Sequence, residues 1–215
     1  MDRKQEVLNT IIESGVVAVI RADRSEELMH VAEALVKGGL VALEVTMTTP
    51  GAIDVIKAVA AEMGDKVLMG AGTVLDPETA RAVILAGAEY VVTPTLKPAT
   101  IELCKRYSKV VVPGAFTPTE ILTAWEQGAD IVKVFPATAV GPKYLKDIKG
   151  PLPHIRLSPT GGVSLDNAGE FIKCGASCIA VGGNLVPKKA IAEKDWDTIT
   201  DNAKRFIEEV KKARA

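Results

Sequence analysis

With 215 residues, 47% of them hydrophobic and 25% charged, the chain can bury one well-packed core and is short for two. Its 26 Lys and Arg nearly balance 27 Asp and Glu, no basic stripe is interleaved with aromatics, and no apolar run approaches the roughly 18 residues of a membrane span, so neither nucleic acid nor a bilayer is an expected partner. A small molecule is. The charged start MDRKQEVLNTIIES has no signal-peptide core, which points to the cytoplasm.

That start reads as an amphipathic helix over about residues 2–14. Short Val- and Ile-rich runs then recur roughly every 20 to 30 residues. They are VVAVI from 16, VALEVT from 41, VLMGAG from 67, YVVT from 90, VVVP from 110, IVKVF from 131, IRLSP from 155 and CIAVGG from 178. Between them lie helical stretches such as SEELMHVAEALVKGG, GAIDVIKAVAAEMG, DPETARAVILAGA and TPTEILTAWEQGA, each opening on a turn or N-cap residue and most closing on Gly. DWDTITDNAKRFIEEVKKARA gives the last helix, with a basic final turn that suits its dipole. Eight βα units without a linker imply an α/β fold, a closed (β/α)8 TIM barrel in a single domain spanning residues 1–215, with the extra N-terminal helix under its bottom. An open doubly wound sheet is the alternative.

Cys104, Cys174 and Cys178 are odd in number and spaced wrongly for CxxC, so reduced thiols are expected. His30 and His154 sit on unrelated segments and offer a metal little. No metal and no cofactor is expected.

GADIVKVFPA places Lys133 in the middle of an apolar strand. Strands of a parallel sheet are covered on both faces, and a desolvated ammonium is costly unless it is paired, neutral or chemically employed. A second anomaly lies in VALEVT, where period-two alternation puts Glu44 on one face with Ala42 and Thr46, aimed into the interior. A structural ion pair would account for both residues; functional chemistry accounts for them better, because strained protonation states gather at active sites. A neutral amine attacks carbonyls to form a Schiff base, and a nearby carboxyl group moves the protons. Paired glycines follow the seventh and eighth runs, Gly161 with Gly162 in SPTGGVSLDN and Gly182 with Gly183 in VGGNLV, where many barrels hold phosphate.

Taken together, GGLVALEVTMTTPGA, GAGTV, TPTE, GADIVKVFPA and PTGGV resemble the 2-keto-3-deoxy-6-phosphogluconate (KDPG) and 4-hydroxy-2-oxoglutarate (KHG) aldolase family over nearly the whole chain. The resemblance implies a class I, metal-independent barrel aldolase, usually a homotrimer, acting on a 2-keto-3-deoxy sugar acid phosphate. By position, Lys133 matches the Schiff-base lysine and Glu44 the general acid/base. Thr73, and Pro94 with Thr93, match the pyruvate end; Thr160, Gly161, Gly162, Gly182 and Gly183 match the phosphate cradle. Two positions depart from the pattern. Thr48 stands where some members carry a carboxylate-binding arginine, which makes Arg21 in AVIRAD the expected substitute. Asn184 stands where Ser is common at the phosphate site, which leaves the choice of aldehyde open. The expected reaction is cleavage of KDPG to pyruvate and glyceraldehyde 3-phosphate. KHG, the galactonate epimer, and a phosphate-binding scaffold without turnover are the alternatives.

Overall fold

The computed structural model describes residues 2–21 and 27–215. Among the described residues the apolar runs form parallel strands β1 (Val16–Ile20), β2 (Ala42–Thr46), β3 (Leu68–Gly72), β4 (Tyr90–Val92), β5 (Val110–Val112), β6 (Gly114–Ala115), β7 (Val132–Val134), β8 (Leu157–Pro159) and β9 (Ile179–Val181). The helices are α1 (Arg3–Ser14), α2 (Leu28–Lys37), α3 (Ala52–Met63), α4 (Pro77–Leu85), α5 (Pro98–Arg106), α6 (Pro118–Glu126), α7 (Gly141–Lys149), α8 (Ala168–Lys173), α9 (Lys188–Ala192) and α10 (Trp196–Arg214). Ser25, which opens the second helical stretch of the sequence, lies outside the described residues.

The eight apolar runs all become strands, but the fifth is divided. Pro113 has no N–H to give to a ladder, so the run breaks there into β5 and β6. The ladders consequently run β5-β4-β3-β2-β1-β9 and β6-β7-β8. Pro113 still joins them, because its carbonyl accepts from Lys133 N at 2.9 Å. On the far side β8 meets β9 through the bridges Leu157↔Ala176 and Thr160↔Ala180. The parallel sheet therefore curls into a TIM barrel, and the doubly wound alternative is set aside.

Alternation sorts each strand into two cores. Leu43 and Val45 of β2 join the core between sheet and helices, while Ala42 joins an interior cluster with Val17, Leu68, Val110 and Cys178. From below, α1 presents Val7, Leu8 and Ile11 to that cluster, as the amphipathic reading of the N-terminus expects. At about 1.5–3 kcal/mol per buried aliphatic side chain, these three anchor the plug. The basic end of α10 does more than face its own dipole: Arg214 donates to the carbonyls of Ile12, Glu13 and Ser177 at 2.6, 2.8 and 2.9 Å. Two of those carbonyls are orphans of the last turn of α1.

Several helix starts follow directly from capping chemistry. Asp76 accepts from Thr79 N at 2.6 Å ahead of Pro77. Thr117 and Glu120 form a reciprocal capping box at the start of α6, with Pro118 in its first turn. These two βα junctions are thereby fixed at the upper rim, where the strands end.

Candidate functional site

Lys133 is 4% exposed and Glu44 1%. The flanking Val132 and Val134 point to the helices, so alternation turns Lys133 inward from β7, between Gly114 and Ser158 in register. Glu44 needs space to turn inward from β2, and β3 supplies it. Gly70 and Gly72 pair with Glu44 and Thr46. A Cβ on Gly72 would fall inside the Glu44 carboxyl group, and one on Gly70 inside the Tyr90 ring. Inward positions 70 and 72 of LMGAG are therefore empty so that these two side chains can occupy the barrel.

Burial pushes the Glu44 carboxyl above its ordinary pKa, opposed by the charges of Lys133 and Arg21. It pushes the Lys133 amine below its ordinary value, opposed by Glu44 and assisted by Arg21. Both groups are thus driven toward their uncharged forms. A purely structural ion pair would join them in contact; instead Glu44 Oε1 has no hydrogen-bond partner, and the Lys133 ammonium sits 5.1 Å from the Phe135 ring centroid.

Above them opens a cavity of about 270 Å³, just under the roughly 300–1,000 Å³ typical of small-molecule pockets. Arg21, Phe135, Thr160, Gly161, Gly162, Gly182, Gly183 and Asn184 line it. Gly161 and Gly162 take φ of 93° and 71°, a left-handed pair that only glycine adopts freely. Two asparagine side chains pin these loops. Asn167 Nδ2 donates to the Gly162 carbonyl at 2.9 Å and Asn184 Nδ2 to the Val163 carbonyl at 2.8 Å.

The structure thus brings together Lys133, Glu44, Arg21 and the glycine loops expected from the sequence. Asn184 lines the cavity with part of its donor capacity already committed to Val163. Thr73 and Pro94 line neither this cavity nor the interior one below it. Thr73, the residue after β3, takes φ 56°, a conformation a β-branched residue rarely adopts and one that concentrates at functional sites. The Pro94 backbone packs against Gly114, one strand from Lys133, and Thr93 Oγ1 is engaged with Thr95 O and Gly114 N. Thr48 is spent on Thr46, the two hydroxyls 2.8 Å apart, which leaves Arg21 as the guanidinium at the mouth. Sequence reasoning missed Phe135, Asn167 and Lys188. The first two lie in segments already singled out, whereas nothing in the sequence marked Lys188, which lines the same cavity.

Among the described residues no three His, Cys, Asp or Glu side chains converge as a metal site. Cys104 and Cys178 are buried free thiols, pushed up to about 12 and about 11 by burial, and Cys174 is a free, half-buried one.

The family model described as KDPG and KHG aldolase matches residues 7–202. The chain belongs to this aldolase family. A 2-dehydro-3-deoxy-phosphogluconate aldolase of Haemophilus influenzae is 35% identical over 212 residues, 96% of this chain and 98% of that one. A KHG/KDPG aldolase of Escherichia coli is 36% identical over 205 residues, 94% and 95% of the two chains. Among solved structures, KDPG aldolase from Legionella pneumophila, with pyruvate captured as a covalent carbinolamine intermediate, superposes with a TM-score of 0.86 at 31% identity, covering 92% of this chain and 96% of that one.

Proposed function

We propose that the chain, a single domain over residues 1–215, is a class I aldolase that reversibly cleaves KDPG to pyruvate and glyceraldehyde 3-phosphate. The carrying observation is the buried Lys133 and Glu44 in the barrel interior, next to a cavity lined by the Arg21 guanidinium and the paired glycines, with Thr160 and Ala180 lining both spaces.

In this reading the neutral Lys133 amine attacks the C2 carbonyl, and the carbinolamine loses water to give an iminium. Glu44 removes the C4 hydroxyl proton; the C3–C4 bond breaks, and its electron pair passes into the iminium as an enamine while glyceraldehyde 3-phosphate departs. The enamine takes a proton at C3 and is hydrolysed, which frees Lys133 and pyruvate. The bound carboxylate is taken by Arg21, whose planar fork suits it. Thr160, Gly161, Gly162, Gly182, Gly183 and Asn184 cradle the phosphate. The iminium is the electron sink, so the steps close without a metal or cofactor.

A second reading, cleavage of KHG to pyruvate and glyoxylate, uses the same Lys133 and Glu44. It is favoured by the part-committed Asn184 amide and by the double name of the E. coli relative. Steady-state cleavage of KDPG, its galactonate epimer and KHG separates these. A KDPG enzyme gives its highest kcat/KM on KDPG and loses it sharply without the phosphate. Equal or higher kcat/KM on KHG would overturn the first reading.

The family resemblance supports a homotrimer. Among the described residues no helix is long and apolar enough to cross a membrane. A phosphorylated sugar acid carries charges that do not pass a bilayer, which favours the cytoplasm as the place of work.

A further inference from the structure

Beneath Lys133 and Glu44 the barrel encloses a second cavity of about 10 Å³, also lined by Tyr90, Ser158, Thr160 and Cys178. Four buried side-chain polar atoms among the described residues lack a hydrogen-bond partner. Three of them, Glu44 Oε1, Tyr90 Oη and Thr160 Oγ1, belong to residues lining this cavity. Such a cluster calls for a cause, because a buried hydroxyl left unpaired is destabilising. A phenylalanine at position 90 would fill the same volume without that cost.

The geometry explains how the groups meet. Glu44, Gly70 and Tyr90 stand in register across β2, β3 and β4. Because Gly70 has no side chain, the Tyr90 ring, 1% exposed, lies over it and reaches toward Glu44. Most of its wall is apolar, from Ile11, Val17, Val92, Val112 and Ile131, and its size admits at most one water, which needs two to four polar partners; the three unpaired atoms supply them.

We propose that one ordered water in this cavity links Tyr90 Oη and Thr160 Oγ1 to Glu44 Oε1, making Tyr90 a positioning residue that holds the Glu44 carboxylate ionised and correctly aimed. The Tyr90 hydroxyl donates to the water, which donates in turn to Glu44 Oε1 and to Thr160 Oγ1. Burial raises the phenol well above its ordinary pKa, so it remains a donor throughout the working range. The other ionisable groups around the pair are Lys133 from β7, Arg21 after β1, and the Cys178 thiol from β9. That thiol, pushed up to about 11 by burial, is neutral near pH 7.

The catalytic consequence rests on the reading of Glu44 given above; the hydrogen-bonded link does not. The deciding measurement is therefore made without substrate. The protein is labelled with ¹³C at glutamate carboxyls, Glu44→Gln assigns the Glu44 signal, and its titration is followed in the native chain and in Tyr90→Phe. Loss of a donor to the ionised form raises the midpoint by about one pH unit, and kcat falls about tenfold with KM within about twofold. An unchanged midpoint overturns the proposal. A shifted midpoint in a protein that cleaves no keto acid upholds the link and refutes the aldolase reading instead. Should Tyr90→Phe fail to fold, Thr160→Val is titrated in its place: a shift of the same sign supports the link, and no shift overturns it.

Discussion

Lys133 and Glu44 are displaced in opposite directions by one cause. Taking a charge out of water disfavours it, so the acid's pKa rises and the base's falls, and each partner's charge only partly opposes the change in the other. The sign fixes a pH dependence: the rate of imine formation with pyruvate rises as the amine loses its proton and levels off below the ordinary lysine range. Glu44 is the group holding the Lys133 value up, so Glu44→Gln moves that midpoint lower still. Movement to higher pH would mean that another group governs the amine. Glu44→Gln also lowers kcat by about 10²–10⁴-fold, the usual contribution of a positioned proton-transfer group, in a steady-state cleavage assay. A loss under about threefold would remove Glu44 from the mechanism.

At the scale of elements, β3 makes the site possible by what it omits. Gly72→Ala drives a methyl group into the Glu44 carboxyl, and a misplacement of about 1 Å at such a group costs on the order of 10²-fold in kcat. Gly70→Ala meets the Tyr90 ring instead, an overpacking expected to lower stability by about 1–3 kcal/mol in thermal unfolding. Wild-type kcat in the first variant, or an unchanged midpoint in the second, would contradict this account of the strand. The alternation in VALEVT and the lysine in IVKVF were legible because period two leaves a charged residue on a covered strand no other face. The Gly-x-Gly of LMGAG carried a signal of the same kind, but its meaning depends on which side chain stands opposite, and register across strands is not written locally. Tyr90 was read only as part of an apolar run for that reason. The break at Pro113 could be anticipated from the missing N–H; the bridging carbonyl that keeps the barrel joined could not.

For the whole molecule, closure follows from two weak points in the ring, each mended differently: Pro113 through its carbonyl, and the β8–β9 seam through two isolated bridges. Helix α1 plugs the bottom and Arg214 ties its final carbonyls to the chain's end. The amphipathic pattern announced the plug, whereas the Arg214 clasp joins residues some two hundred positions apart and left no sequence signal. The valines of VVVPGAFTPTE go into the core, whereas Leu75 and Leu85 are among the large hydrophobic side chains left on the surface, 57% and 69% exposed. Sedimentation equilibrium is expected to return three chain masses, and a single chain mass at micromolar concentration would remove the trimer. The central claim concerns the whole barrel acting on one amine, and it is tested most directly by incubating the protein with pyruvate and borohydride and mapping the modified peptide by mass. The expected result is one reduced pyruvyl adduct on Lys133, absent in Lys133→Ala, whose kcat/KM falls by more than about 10³-fold, or more than ~4 kcal/mol of transition-state stabilisation. No adduct on that peptide, or undiminished cleavage by a folded Lys133→Ala protein, would contradict the account.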